Sequence, residues 1–384
     1  MRPALKILQI SSARTIGGGE RHLADLLNGL VDRGHEVHVA LRPNSPLIDV
    51  LRQSDLERSN RISVTTLPLR NSLDAISARA LSKLVRRHQI QIVHAHMARD
   101  YPLAAYAVRG NKDARLIVTR HVLFPLGRLH RITLAKAARI IAVSKAVAAQ
   151  VRVDATAPSD RVSVVLNGID TKRFASARSR FSREGFLASW GLPDNALLVG
   201  TVGELTLLKG QEEFLRAAAE VRRQFPNSHF IVAGTDSTNE NKNHAFLQQL
   251  IKALGLSEQV RLVGWVDDLP QLYCALHVFV SASHTESFGL AITEAMASGT
   301  AVVATETEGA REIIKPGETG LLVPVGNVAA LSTSIMELLG DEDKRVRLGT
   351  AALQDVALRF SVERMVDETE KIYRDEIGSG LSWM

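Results

Sequence analysis

A single cysteine, Cys274, is all that the 384-residue chain carries. This excludes an internal disulfide and any zinc site built on thiolates, and its apolar neighbours point to a small buried side chain in a reducing compartment. Long apolar runs are missing as well. The most apolar extended stretch, residues 132–151, is interrupted by Lys136, Arg139 and Lys145, so it does not supply the roughly 20 uninterrupted apolar residues of a spanning helix. The opening residues run straight into an apolar strand with no basic flank, long apolar core or small-residue cleavage site, so export is not expected. Aromatic residues make up only 5%. No repeated aromatic platform or recognition motif is present, so nucleic acid is not expected as a partner.

What the chain does have is bulk and a lopsided charge. With 45% hydrophobic residues, its length suffices for two domains that each bury a core. Residues 1–183 hold 31 Lys and Arg against 13 Asp and Glu, a net +18, and the remainder holds 16 against 28, a net −12. A split this large implies that the halves face different partners, the basic one meeting a lipid surface, a phosphorylated glycan or another polyanion.

Apolar periodicity alternates between strand and helix from the start. Strand 6–11, glycine-rich loop 13–19, helix 20–33 and strand 36–41 make a βαβ unit, with Leu23, Leu26, Leu27 and Leu30 on one helix face. The three consecutive glycines approach the dinucleotide fingerprint, but His22 holds the place of the third spaced glycine, so a nicotinamide cofactor is not expected. The same alternation continues to a strand at 162–165. Asn167-Gly168-Ile169-Asp170 is then a turn signal, and the Arg-rich run to Arg183 reads as the approach to a linker. The pattern restarts at strand 197–202. The expectation is α/β architecture with two Rossmann-like, doubly wound domains, 1–190 and 191–384, and a last helix at about 362–377 that crosses back to the N-terminal domain.

Residues 278–305 read as strand, polar loop, short helix, strand. Gly289 marks the helix start, where free backbone N–H groups and partial positive charge suit phosphate. Glu286 stands just before that start and Glu294 inside the helix, two carboxylates able to grip hydroxyls on either side of a phosphate. Asp341-Glu342-Asp343 follows a helix-ending glycine and reads as a helix cap rather than a metal triplet. His94 and His96 are at strand spacing, but the sequence offers no evident third ligand, and no metal is expected.

Glu286-(x)7-Glu294 within Ser-Phe-Gly-Leu-Ala-Ile-Thr-Glu-Ala-Met-Ala-Ser-Gly-Thr resembles the retaining glycosyltransferases of family 4, which have the GT-B fold. Gly17-Gly18-Gly19-Glu20, Gly34-His35-Glu36-Val37, Val93-His94-Ala95-His96, residues 165–170, Lys209-Gly210-Gln211 and residues 318–324 extend the resemblance nearly end to end. It implies that the C-terminal domain binds a nucleoside diphosphate sugar, UDP- in preference to GDP-, and that the N-terminal domain binds a glycan or lipid-linked acceptor. No cofactor or metal is implied.

Position by position, the resemblance makes Glu294 the ribose ligand and gives the diphosphate to Ser287, Phe288, Gly289 and Leu290, with Gly18 approaching from the N-terminal domain. Lys209 neutralises the leaving phosphate, Glu286 lies beside the transferred sugar, and His121 lies near sugar and acceptor. One departure stands out. Glu204 occupies a position where the family often has a second diphosphate-binding Arg, so Glu204 must turn away or a cation such as Arg120 or Arg128 must compensate. The expected function is hexosyl transfer in lipopolysaccharide or other envelope glycan synthesis, in the cytoplasm and peripherally on the inner face of the membrane. The alternatives are a nucleotide-sugar epimerase of the same fold and a binding protein that has lost catalysis.

Overall fold

The computed structural model describes residues 3–15, 17–53, 62–154, 158–238 and 240–378, without the side chains of Arg128 and Asp154. The chain divides into two compact units, residues 1–168 with 362–384, and residues 169–361.

The first unit is built on a seven-stranded sheet of β1 (Lys6–Ser11), β2 (Glu36–Leu41), β3 (Ile62–Thr66), β4 (Ile92–Ala95), β5 (Arg115–Arg120), β6 (Arg139–Ala142) and β7 (Val162–Val164). Every pairing is parallel, in the order β3-β2-β1-β4-β5-β6-β7. Helices α1 (Gly18–Asp32), α2 (Pro46–Gln53), α3 (Ala75–Arg87), α4 (Tyr101–Ala107), α5 (Arg128–Leu134) and α6 (Lys145–Asp154) connect the strands. Strands β1 and β4 are buried almost throughout, as expected of parallel strands covered on both faces.

The second unit repeats the design with six strands: β8 (Leu197–Val202), β9 (Ser228–Ala233), β10 (Val260–Gly264), β11 (Val278–Ser281), β12 (Ala301–Thr305) and β13 (Leu321–Val323). They too pair in parallel, in the order β10-β9-β8-β11-β12-β13. Its helices are α7 (Thr171–Arg180), α8 (Arg183–Ser189), α9 (Gln211–Gln224), α10 (Lys242–Ala253), α11 (Leu269–Ala275), α12 (Leu290–Ala297), α13 (Glu308–Ile313), α14 (Val328–Gly340) and α15 (Glu342–Arg359). Asp341 caps α15, accepting from Lys344 N at 2.8 Å.

The closing helix α16 (Val362–Gly378) belongs to the first unit, where Met365, Val366 and Tyr373 join the core formed by Leu23, Leu26 and Leu30 of α1. A methyl on Gly29 would stand 2.5 Å from Val366. The missing side chain is what lets α16 lie close on α1.

The boundary falls at residue 168/169 instead of near 190. The Arg-rich run is no linker. Asp170 caps α7, accepting from Lys172 N and Arg173 N, and Phe174 and Ala177 bury against α11 and its neighbours, with the Phe174 ring 6.3 Å from that of Tyr273. Two apolar positions in ten residues anchor this helix, too few to raise a periodic signal above the charge. Among the described residues, no helix is long and apolar enough to cross a membrane.

Candidate active site

In each sheet the strand order reverses at one place, between β1 and β4 and between β8 and β11. Crevices at the carboxyl ends of strands beside such reversals are where open α/β sheets bind ligands. Most of the expected site residues follow these strands, Gly18 after β1, Glu204 and Lys209 after β8, and residues 286–290 after β11, while His121 follows the neighbouring β5 and Glu294 lies within α12.

In the second unit, α12 starts at Gly289, which has φ +114°. The conformation is one that side chains resist, and the helix start leaves its first amides without intrahelical acceptors. Leu290 is the first helical residue and Ser287 is half-buried. Phe288 is 3% exposed, its ring 5.7 Å from that of Phe360, so its side chain anchors the loop and leaves recognition to the backbone. Glu286 is tied down twice. Its carboxylate meets Lys209 Nζ at 2.5 Å and accepts from Ser283 Oγ at 2.9 Å, while its carbonyl accepts from Gly309 N at 3.1 Å. Glu294 is buried on α12 and accepts from the Tyr273 hydroxyl at 2.8 Å. One carboxylate therefore faces a cation and the other a neutral phenol.

Lys209 lies on a short turn, Leu207–Lys209, ahead of α9. Gly210 follows at φ +66°, and a Cβ there would stand 2.0 Å from the Ala282 carbonyl oxygen. Only glycine lets this turn press onto the end of β11, and that contact delivers Lys209 to Glu286.

Glu204 is exposed, and the Ser237 hydroxyl donates to its carboxylate. Its carbonyl accepts from Gln211 Nε2 at 2.9 Å. The carboxylate thus turns toward the loop after β9 and takes a hydroxyl as its partner. Of the two cations considered as substitutes, Arg120 donates to the Phe124 carbonyl within the first unit, and the side chain of Arg128 lies outside the described residues.

In the first unit, Gly18 is the exposed first residue of α1. The helix is capped in reverse: Gly17 N donates to Glu20 Oε2 at 2.9 Å, and burial pushes the Glu20 carboxyl above its usual range. His121 packs beneath this start, its ring 3.6 Å from the position of a Cβ on Gly19. Beside it stand His22 of α1, the two rings 5.0 Å apart, and His96, whose Nδ1 lies 3.4 Å from His121 Nε2.

The strand-spaced pair does not share a ligand. His94 is committed to the Tyr373 hydroxyl at 2.6 Å and to Thr119 Oγ1 at 2.7 Å, whereas His96 turns to His22 and His121. Burial lowers all four histidines. His22 falls to about 4, with Asn167 opposing the shift, and His94, His96 and His121 lie well below 6.5, each lowered further by neighbouring rings. The rings are neutral at pH 7.

The sequence reading missed His22, which it met only as a departure from a glycine fingerprint, and Tyr273, the partner of Glu294. Residue 22 lies three positions after Gly19 on the buried face of α1, a spacing that places it beneath the glycine loop.

Residues 182–355 match the family described as Glycosyl transferases group 1, and residues 16–173 match Glycosyltransferase Family 4. The chain belongs to this family of GT-B glycosyltransferases. Over 218 residues it is 33% identical to a D-inositol 3-phosphate glycosyltransferase of Corynebacterium urealyticum, a match covering 56% of this chain and 51% of the other. Over 220 residues it is 32% identical to the lipopolysaccharide core biosynthesis mannosyltransferase LpcC of Rhizobium leguminosarum bv. viciae, covering 57% and 61%. The chain thus spans about half to three-fifths of the length of these curated relatives. The fold is that of Anabaena HepE, solved in complex with UDP, at TM-score 0.83 and 24% identity over 97% of this chain and 100% of that one.

Proposed function

We propose that the chain transfers a hexose from a nucleoside diphosphate sugar, UDP- in preference to GDP-, to a glycan or lipid-linked acceptor, with retention at the anomeric carbon. The observation that carries this reading is the grouping at the end of β11, where Lys209 and the start of α12 offer positive charge and Glu286 and Glu294 flank it. The diphosphate lies on the amides of Gly289 and Leu290 with Ser287, and Glu294 accepts two ribose hydroxyls, since an ionised carboxylate makes strong hydrogen bonds.

As the anomeric C–O bond to phosphate breaks, negative charge grows on the leaving oxygen, and Lys209 stabilises it. The acceptor oxygen bonds to the anomeric carbon on the same face, and its proton passes to the departing phosphate. Glu286 orients a sugar hydroxyl, and neutral His121 serves the acceptor in the first unit. Lys209 and the amides meet the diphosphate charge, so this step uses no cofactor and no metal on the diphosphate. Glu204, engaged by Ser237, takes no part.

An envelope glycan acceptor, made on the cytoplasmic side, draws support from the Rhizobium relative and from one surface of the first unit. Leu73, Ile76, Phe124, Leu129 and Ile132 are all exposed, and Ser72 Oγ lies 3.2 Å from His130 Nε2, drawing the start of α3 to α5. Exposed Arg79, Lys83 and Lys136 accompany them. Apolar side chains with basic neighbours suit an anionic bilayer.

Thermal unfolding with UDP, GDP and ADP tests the donor reading. A nucleotide at about 100 times its dissociation constant adds roughly 2.7 kcal/mol, which for units of this size raises the unfolding temperature by roughly 5–10 °C. The expected result is a shift with UDP that disappears in Glu294→Ala. No shift with any nucleotide defeats the reading.

A further inference from the structure

One nitrogen from each of His22, His96 and His121 lies within 4.8 Å of the other two, and the transfer proposed above gives a part to His121 alone of the three. The rings come from α1, from the residue after β4 and from the residue after β5. Two features go beyond crowding.

First, the lone pairs are aimed. His96 Nε2 is 2.8 Å from the Gln9 amide oxygen, which only accepts, so the proton sits on Nε2 and Nδ1 keeps its lone pair. Gln9 is itself held, donating to the Tyr373 hydroxyl at 3.0 Å. That Nδ1 faces His121 Nε2 at 3.4 Å, within hydrogen-bonding distance. Nitrogens about 2.0–2.1 Å from a tetrahedral ion stand roughly 3.4 Å from one another, so this pair already has the separation of two ligands on one ion. Second, Nδ1 of His22 is buried without a hydrogen-bond partner, Asn167 being the polar side chain that acts on this ring. Buried polar atoms in that state call for an explanation, and an ion is one.

We propose that His22, His96 and His121 bind one divalent transition-metal ion, Zn2+ foremost. Three neutral imidazoles with a fourth position open to water or an anion make a familiar zinc donor set, and imidazole selects zinc, copper, nickel and cobalt over magnesium and calcium. The Gln9 and Tyr373 contacts behind His96 fix its ring and tautomer, as outer partners of ligating histidines do. Half-buried His121 is the side from which an ion enters. The ion is distinct from anything on the donor diphosphate, and the proposal stands whether or not the chain transfers sugar.

The test uses the full chain without a histidine tag and without donor or acceptor. Zn2+ is titrated against a chromophoric chelator, and Cu2+ is loaded for electron paramagnetic resonance. We expect one Zn2+ per chain and coupling of Cu2+ to three nitrogens. His22→Asn and His121→Asn each weaken Zn2+ binding at least about tenfold, with circular dichroism confirming that the variants fold. His88→Asn, which breaks the separate grouping of Glu36, His38 and His88, changes nothing. Absence of Zn2+ binding, fewer than three coupled nitrogens, or binding lost only in His88→Asn overturns the proposal. The Cu2+ spectrum of the unaltered chain decides the matter if a variant fails to fold.

Discussion

Lys209 Nζ and the Glu286 carboxylate stand 2.5 Å apart, and a diphosphate arriving at α12 competes for the same cation. Glu286→Gln removes that competition, so UDP affinity is expected to hold or improve while kcat falls. Lys209→Met removes the cation itself, and kcat is expected to fall about 100-fold or more, the usual scale for deleting one group that stabilises charge in a transition state. Steady-state kinetics with isothermal titration of UDP separates the two, and a Glu286→Gln variant with unchanged kcat refutes the role given to that carboxylate.

The buried histidines set the acid limit of stability. The unfolded chain takes up protons on these rings from about pH 6.5 downward, whereas folded His22 waits until about 4 and His94, His96 and His121 until well below 6.5. The folded state binds fewer protons across that window. Stability is therefore complete above pH 6.5 and falls as pH drops toward 4, by on the order of 1 kcal/mol per ring and pH unit. Urea midpoints at pH 7.5 and 5.5 check this, and an equal or higher midpoint at 5.5 contradicts it. Little of the cluster was legible in the sequence. Glu286 and Glu294 share one short stretch and announce themselves, but the three imidazoles lie at 22, 96 and 121, and only the sheet order β1-β4-β5 brings them together.

Among elements, the turn before α9 shows how backbone geometry sets side-chain chemistry. Gly210→Ala places a methyl 2.0 Å from the Ala282 carbonyl oxygen, at a φ of +66°. The expected cost is about 1–3 kcal/mol of stability from strain, with Lys209 displaced and the UDP shift reduced; denaturant unfolding reads the first and thermal unfolding the second. A variant as stable as the parent would mean that the turn relaxes freely. The alternation of strands and helices was readable because β11, α12 and β12 are apolar runs of distinct length bounded by Gly289 and Gly299. Helices α7 and α8 were not, because Phe174, Ala177 and Leu187 are all they bury. What makes α7 a helix is the Asp170 cap and a contact with α11, a partner a hundred residues away in the chain and invisible to a local pattern.

At the scale of the molecule, each unit has its own core, one gathered around Phe214, Phe230 and Val280, the other around Ile7, Leu26 and Tyr373. Calorimetry is expected to resolve two transitions, of which UDP raises the one belonging to residues 169–361. A single transition that moves as a whole would show that the units unfold together. Charge acts at this scale as well. The net +18 of residues 1–183 predicts cosedimentation with phosphatidylglycerol vesicles that weakens with salt as exposed charges are screened, and binding that ignores salt would rule out the electrostatic part of the docking surface. The sequence disclosed two domains and the return of the last helix, and it marked the turn at Asn167-Gly168 where the first unit pauses. It placed the division some twenty residues late because charge was mistaken for a linker.

The pause has a consequence for how the chain is made. A ribosome delivers α1 well before α16, so the apolar face around Leu26, Gly29 and Leu30 waits for its cover until residues 169–361 have emerged. Residues 169–361 are complete before that, and can settle while the older unit still lacks a side. Domains usually fold in the order of their synthesis; here the half that is begun first is the half that is finished last.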